Sequence, residues 1–318
     1  MQKTITYLSG LFTLLFAISS CQDEVTVDLK DVEPVFTVDA WLDNMNETQR
    51  IILTRSTDFF NNETLPPGVV GAEVFIIDED EIRYDFVDQG NGIYEWNSLI
   101  EGQGFGQVGK RYDLTILTEG TTYSSTTVMK PTTVVDTVYF VWQEDPFEGD
   151  FVRADFQASD LPTIGDTYWI KAYKNDTLLN RAGEINIAFD AGFTEGGGDD
   201  QNGKTFIPPL RFAINDFEEI PIYEEGDRVR VEIHSISLEA FDFLNLVIFQ
   251  SDREAGFAAL FETPLANVST NIVSSNSDEI VSGLFNIADV ESSERTLVLG
   301  EVLDAGCFFN DDVEEECP

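Results

Sequence analysis

The sequence is poor in basic residues and almost lacks histidine. Its 318 residues contain one histidine and 18 lysines and arginines, against 59 aspartates and glutamates, for a formal net charge of −41. Because nucleic-acid binding needs clustered lysine and arginine to neutralise phosphates, this composition argues against a nucleic-acid partner. It also disfavours direct adsorption to an anionic lipid surface. The acidity is explained by solubility at a cell surface or, alternatively, by capture of cations or a basic partner.

Signatures of common catalytic centres are also missing. The sequence has no G-x-S-x-G nucleophile elbow, and neither a phosphate-binding loop nor a dinucleotide fingerprint stands in a strand–helix setting. The single histidine, His234, lies on the opposite strand face from Val231 and Ile233, so we expect a half-exposed strand residue rather than a general base. Acidic pairs are too abundant to single out a glycosidase centre. We therefore predict a protein with no enzymatic activity and no cofactor.

The chain contains no apolar run of the length that spans a bilayer, which is roughly twenty residues. Its first apolar run, Tyr7 to Ile18, follows the single early charge at Lys3. A short basic segment followed by a short apolar segment is typical of a secretory signal peptide, which we assign to residues 1–20. A retained transmembrane helix is the weaker alternative.

The end of this apolar run, Ile18-Ser19-Ser20-Cys21, resembles the lipobox of bacterial lipoproteins, in which the cysteine is acylated and becomes the first residue. An ordinary signal peptide with an incidental cysteine is the alternative. The following Gln22, Asp23 and Glu24 resemble the acidic export signal of surface-exposed lipoproteins in the Bacteroidota, with a periplasmic orientation as the alternative. We expect lipidation at Cys21 and a location on the outer membrane, facing the exterior.

The rest of the chain predicts a mainly β protein. Removal of residues 1–20 leaves 298 of the 318 residues, of which 21–33 form an acidic tether. Short alternating strands separated by turn signals over residues 34–131 favour an immunoglobulin-like or transthyretin-like β-sandwich. Residues 132–318 are assigned to a second β-rich domain with one principal buried helix near 238–250, capped by Ser237.

Cysteine and acidic residues offer few metal ligands. With Cys21 assigned to lipid, Cys307 and Cys317 remain as a pair in a compartment that permits disulfides, and we expect them to be bonded. Asp199, Asp200 and Asn202 offer oxygen ligands for calcium in a glycine-rich loop. A plain loop is the preferred interpretation, because these residues do not follow the EF-hand register. We predict no metal site.

Aromatic residues present a further choice. Trp41, Trp96, Trp142 and Trp169, with Tyr168 and Tyr173, lie mostly within strand patterns. Core packing is the preferred interpretation, and a carbohydrate-stacking surface is the alternative.

Several segments together resemble one family. They are FTVDAWLDN, RIILTRSTDFFN, VVGAEVFIIDED, NGIYEW and GKRYDLTI, followed by VRVEIHSISLEAFDFLNLVIFQ, FETPLANVSTNIV and SGLFNIADVES. The chain resembles the lipoprotein family of the Bacteroidota labelled domain of unknown function 4249 over nearly its whole mature length. The resemblance implies an outer-membrane lipoprotein without established enzymatic activity, encoded near TonB-dependent receptors. We therefore expect a β-barrel partner, a TonB-dependent transporter, and a role in cargo capture or complex assembly; a stand-alone glycan- or peptide-binding module and an assembly factor are the alternatives.

Overall fold

A computed structural model describes residues 33–57, 65–97, 104–147, 149–193, 201–216, 222–251 and 268–304. Strands far outnumber helices among them, which confirms the predicted mainly β class. The chain divides into two compact units, Met1–Glu33 and Pro34–Pro318, and every element described below belongs to the second. Within the described ranges, no helix combines the length and the apolarity needed to cross a membrane.

The described residues of the second unit form sixteen strands and two α-helices. The strands are β1 Phe36–Asp43, β2 Thr48–Arg55, β3 Glu73–Asp78, β4 Arg83–Gly90, β5 Ile93–Asn97, β6 Arg111–Thr118, β7 Thr121–Val128, β8 Thr137–Gln143, β9 Phe151–Gln157, β10 Thr167–Lys174, β11 Thr177–Leu178, β12 Asn186–Phe189, β13 Arg228–Ser235, β14 Val273–Ser274, β15 Val281–Ala288 and β16 Val290–Thr296. The helices are α1 Pro208–Phe212 and α2 Leu238–Ser251.

A nine-stranded sheet surrounds the first core. Its strand order is β14-β7-β6-β3-β4-β5-β2-β1-β15, and the sheet is nearly closed. Alternation explains the burial: in β1, Phe36, Val38, Ala40 and Leu42 point into the core, and the residues between them do not. The predicted sandwich region therefore takes the form of one strongly curved sheet.

Glu119-Gly120 within RYDLTILTEGTTYSSTTV predicts a turn between two strands, and the structure confirms this hairpin. These two residues link β6 to β7 and both have positive φ angles, 51° and 83°. A two-residue connection with both φ angles positive matches the right-handed twist of the strands it joins.

The sheet takes its last strand from a distant part of the sequence. β15 lies parallel to β1, with Phe36 opposite Val281 and Val38 opposite Gly283. β14 pairs with β7 in the same sheet. The predicted domain boundary between residues 131 and 132 stays a prediction, but strands from beyond that boundary contribute to the first sheet.

A second layer contains a smaller sheet with the order β11-β10-β13-β16, to which β12 adds by pairing with β10, and a separate β8–β9 ribbon. The predicted face of Val229, Val231 and Ile233 on β13 is confirmed, because all three are buried in the core between these elements.

A buried ion network supports this second core. The Asp155 side chain is fully buried and accepts two hydrogen bonds from Arg211 of α1, at 2.9 and 3.1 Å. It also accepts one from Arg153 at 3.0 Å, and the Arg153 guanidinium lies 4.1 Å from the centre of the Phe212 ring. The carboxylate therefore holds two buried cations on neighbouring elements.

The predicted helix is confirmed as α2, and so is its cap. The Ala240 backbone N–H donates to the Ser237 hydroxyl at 3.1 Å. Its burial is narrower than expected: Ala240, Phe241 and Leu244 are buried, whereas Leu246 and Phe249 are exposed. Apolar residues on several sides of this helix predict burial on most sides, but other elements cover only part of its surface.

The last strand differs from the prediction. The apolar segment RTLVLGEVL, residues 295–303, predicts the last strand, but β16 begins at Val290 and ends at Thr296, and Leu299–Glu301 form a turn of 3-10 helix. Residues 290–296, VESSERT, are mostly small or charged and have no apolar face, so hydrophobic alternation does not predict a strand there.

Candidate functional site

Strand β10 has one apolar and one polar face. Tyr168 and Ile170 are buried in the second core, whereas Trp169, Lys171 and Tyr173 lie on the opposite face. Because side chains alternate along a strand, the segment YWIKAYK predicts this division. The polar face is the first half of the candidate site.

Strand β13 continues the same polar face. Register places three pairs side by side across the two strands: Trp169 opposite His234, Lys171 opposite Glu232, and Tyr173 opposite Arg230. Charged side chains here would ordinarily face solvent. Instead, the end of β1, the following turn and the start of β2 lie against them and form a cleft.

The cleft has a volume of about 340 Å³. It is lined by Trp41, Asp43, Met45, Glu47, Thr48, Gln49, Arg50, Lys171, Tyr173, Arg230, Glu232 and His234. Its size falls at the lower end of the range of small-molecule sites. The cleft joins the first sheet to the second, so neither sheet could form it alone.

Glu232 organises the floor of the cleft. Its side chain is buried and forms an ion pair with Arg230. The Tyr173 hydroxyl donates to it at 3.1 Å, and His234 Nε2 lies 3.0 Å from the same carboxylate oxygen. Three neighbours from two strands therefore fix this carboxylate in place.

The expected half-exposed position of His234 is wrong, since the residue is 4% exposed. Burial, together with the positive charges of Lys171 and Arg230, holds the pKa of His234 well below its usual range. The imidazole is therefore neutral at neutral pH and donates its Nε2 proton to Glu232. Alternation predicted the face of His234, but not that β1 and the turn after it cover that face.

Among the described residues that line the cleft, Lys171 is the cation without a salt bridge. Its ammonium lies 4.2 Å from the centre of the Trp169 ring, and no acidic residue in the described part of the chain forms a salt bridge with it. Burial lowers the pKa of Lys171 to about 8, against the opposing influence of Asp43 and Glu47. The group is still mainly charged at pH 7.

Replacing Lys171 with methionine should stabilise the folded protein at neutral pH. The pKa of Lys171 is about 8 in the folded protein and 10.5 in its ordinary, unfolded state. Because the unfolded chain binds the proton more tightly, the charged lysine lowers the free energy of unfolding, with the full effect below about pH 8. Discounted for partial exposure, the gain should be about 1–2 kcal/mol in the free energy of unfolding. Denaturant titrations from pH 7 to 10.5 should show the gain shrinking as the pH rises.

Lys174 provides the matched control for this variant. It lies on the same strand, but its Nζ donates to the Ile222 carbonyl at 2.7 Å and lies 3.8 Å from Asp227. Lys174→Met should therefore not stabilise the protein. Equal effects of the two substitutions would contradict the assignment of an uncompensated charge to Lys171.

A small inner pocket opens beside the cleft and shares Trp41, Asp43, Lys171 and His234 with it. Its volume is about 10 Å³, close to the space that one water molecule needs. Asn286 of β15 also lines this pocket and is 2% exposed. Its carbonyl oxygen accepts the Ser237 N–H at 3.0 Å, but its Nδ2 group has no hydrogen-bond partner among the described residues.

The aromatic residues divide between core and cleft. Trp96 and Tyr168 are buried in the two cores, and Trp142 packs against the second core, as the preferred interpretation predicted. Trp41 and Trp169 are partly buried, meet edge to face at 5.1 Å and line the inner pocket. Tyr173 lines the outer cleft.

A separate acidic group lies near residue 203. Carboxylate oxygens of Asp160, Asp166 and Asp190 come within 4.8 Å of one another, and hard cations prefer such oxygens. Asp160 accepts hydrogen bonds from the Tyr168 hydroxyl at 2.7 Å and from the Gly203 N–H at 3.1 Å. Burial raises the pKa of Asp160 to about 6. These three residues could hold a metal ion, while the expectation of no metal stays a prediction.

Two glycine-rich segments fit the residue patterns of nucleotide-binding motifs. The fit of one of them to the P-loop pattern is not among the predictions made above. Residues 198–205, GDDQNGKT, fit the P-loop pattern, and residues 104–109, GFGQVG, fit the dinucleotide pattern. The second match leads into β6, not a helix, and the five-residue α1 begins only at Pro208. In the described part of the chain, neither match has the strand–loop–helix setting that positions phosphates on a helix N-terminus.

Several predicted residues lie outside the described ranges. They are the signal peptide, the lipid-anchor residue Cys21, the export residues Gln22, Asp23 and Glu24, the predicted disulfide partners Cys307 and Cys317, and Asp199 and Asp200 of the glycine-rich loop. The assignments made for them stay predictions. Asn202 is described, and its Nδ2 group donates to the Pro162 carbonyl at 3.4 Å.

Comparison with known proteins gives one result. No curated protein shows significant similarity to the chain. The model of the family described as domain of unknown function DUF4249 matches residues 22–294, which include every residue that lines the cleft and all the strands of both sheets except the last two residues of β16. The chain therefore belongs to the DUF4249 family.

Proposed function

We propose that the chain is a non-enzymatic, lipid-anchored protein of the outer membrane that captures a small cargo for a TonB-dependent transporter. The observation that carries the proposal is the inter-sheet cleft, which combines aromatic walls with the Lys171 ammonium, a cation that forms no salt bridge with any described residue. Ligand sites typically combine an apolar wall with a few well-placed polar groups. Cargo capture is favoured over a purely architectural role because a charge left without a counter-ion costs stability unless a ligand neutralises it.

A binding role is favoured over catalysis by the state of the polar residues. His234 is neutral and directed at Glu232, which is itself held by Arg230 and Tyr173. A general base must be free to take a proton from a substrate or a nucleophile. The nearest candidate base is instead part of a satisfied network.

The membrane anchor rests on Cys21, and Cys21→Ala should move the protein from the membrane fraction to the soluble fraction. The variant removes the thiol that carries the acyl chains, and dual acylation is what makes such anchoring stable. The measurement is the distribution of the protein between membrane pellet and supernatant after cell fractionation. Cys307→Ala is the matched control and should leave the protein in the pellet; an unchanged pellet fraction for Cys21→Ala would refute the anchor.

The transporter partnership is tested by recovering the protein in mild detergent. A large β-barrel should co-purify with the wild-type chain, because outward-facing lipoproteins and their transporters share the same membrane surface. Recovery of the chain alone, together with affinity for glycans or peptides, would favour the alternative of a stand-alone binding module. Recovery with many different barrels would favour an assembly factor.

A further inference from the structure

We propose that the cleft binds a small organic monocarboxylate, with one carboxylate oxygen in the inner pocket between the Lys171 ammonium and the Asn286 amide. The inference rests on the proposed use of the cleft for capture and names the chemistry of the captured group. It is carried by two hydrogen-bond donors that line the same pocket and have no acceptor among the described residues.

The first donor is the amide of Asn286. Its carbonyl oxygen is used by Ser237, which fixes the direction of the amide and leaves Nδ2 without an acceptor in a side chain that is 2% exposed. A buried donor without an acceptor costs free energy, and native structures contain few of them. The pocket at this position has room for one water-sized atom, which suits a single ligand oxygen.

The second donor is Lys171. Its ammonium lies 4.2 Å from the centre of the Trp169 ring, and Lys171 lines both the inner pocket and the outer cleft. Asp43 is close enough to influence it, but the Asp43 Oδ1 atom is already held by the Met45 N–H at 3.0 Å and the Gln49 amide at 3.0 Å. An arriving carboxylate would give Lys171 the partner that the protein does not.

Charge counting favours a single negative charge on the ligand. Arg50 is paired with Glu95, Arg230 is paired with Glu232, and His234 is neutral. Lys171 is therefore the one cation without a salt bridge among the described residues that line the cleft, and the carboxylates of Asp43 and Glu47 line the same cleft. A phosphate dianion would bring a second charge toward Asp43 and Glu232, so like-charge repulsion disfavours it.

The outer cleft accommodates the rest of the ligand. Its volume of about 340 Å³ exceeds what a carboxylate alone would fill, and Trp41 and Tyr173 provide aromatic surface. Such a wall suits either the backbone of a short peptide or the ring of a sugar acid. The C-terminal carboxylate of a peptide and the carboxylate of a uronic acid share the chemistry recognised at the inner pocket.

The test is calorimetric titration of the detergent-solubilised full chain with matched probes. Triglycine is compared with triglycine amide, glucuronate with glucose, and inorganic phosphate serves as the dianion. At least one acid should bind at least about tenfold more tightly than its uncharged counterpart and than phosphate, because only the acid pairs with Lys171. The acid that binds identifies the source as peptide or sugar.

Two variants locate the binding. Lys171→Met should weaken the acid about tenfold or more while leaving the protein folded, and the control Lys174→Met should leave the affinity unchanged. Asn286→Asp keeps the oxygen that accepts from Ser237 but replaces the amide donor by a carboxylate oxygen, so it should also abolish binding. Thermal unfolding confirms that each variant is folded.

Equal affinity for acids and their neutral counterparts, tighter binding of phosphate, or undiminished binding to Lys171→Met would overturn the proposal. The outcome is separable from that of the transporter test. A barrel that co-purifies with a chain that binds no carboxylate would leave the transporter partnership intact, and carboxylate binding by a chain recovered alone would leave the ligand assignment intact.

Discussion

Asp155→Ala should lower the free energy of unfolding by about 3–5 kcal/mol, the range for removal of one partner from a buried ion pair. The Asp155 carboxylate is fully buried and pairs with Arg153 and Arg211, both of which are also buried. Alanine would leave two guanidinium groups without this anion, far from water. Equilibrium denaturation in urea measures the loss.

Asp85→Ala is the matched control. Arg83 and Asp85 have the same spacing along a strand as Arg153 and Asp155, and their atoms lie 2.7 Å apart, but both side chains are exposed. Exposed ion pairs contribute about 0–1 kcal/mol. A loss at Asp155 no larger than that at Asp85 would show that the buried network does not support the second core.

Gly283→Ala should lower the free energy of unfolding by about 3 kcal/mol or more, since it combines backbone strain with overpacking. Gly283 has a φ angle of 97°, which residues with a side chain rarely adopt. A Cβ atom there would lie 1.8 Å from the Val38 carbonyl oxygen on the paired strand. Because this oxygen belongs to β1, the variant must separate β15 from β1 or distort both.

Two other glycines separate the cost of backbone strain from the cost of overpacking. Gly90 has a similar φ of 87°, but its Cβ would meet no atom within 4 Å, so Gly90→Ala should cost only about 1 kcal/mol from backbone strain. Gly300 has neither a positive φ nor a close neighbour, and alanine there should be nearly neutral. If Gly283→Ala behaved like Gly90→Ala, the close approach of β15 to β1 would be wrong.

Local pattern carried most of the fold prediction. Alternation located the apolar face of β13, the Glu119-Gly120 pair located a hairpin, and Ser237 marked the start of α2. These features depend on residues close in sequence, where steric and hydrogen-bonding preferences act directly. They predicted which elements exist, but not which elements meet.

The candidate site depends on elements that are distant in sequence. Lys171 and Glu232 lie opposite each other on two paired strands. Asn286, on a third strand, lines the inner pocket together with Lys171. A polar residue in an alternating strand is expected to face water unless something covers it. Only the packing of β1 and the following turn against this face turned His234 from an expected exposed residue into a buried one.

The pairing of β1 with β15 has a consequence for the order of events during synthesis. Asn44 and Asp289, whose side chains hydrogen-bond at 2.6 Å beside this strand pair, are 245 residues apart. A chain that emerges from its N-terminus leaves β1 with one unpaired edge until nearly all the rest has been made, and unpaired edges invite association with other chains. Such long-range closure is also slow. The risk of aggregation therefore persists until β15 has been synthesised and has paired with β1. The yield of correctly folded protein should depend more on protection of the nascent chain than on the stability of the folded state.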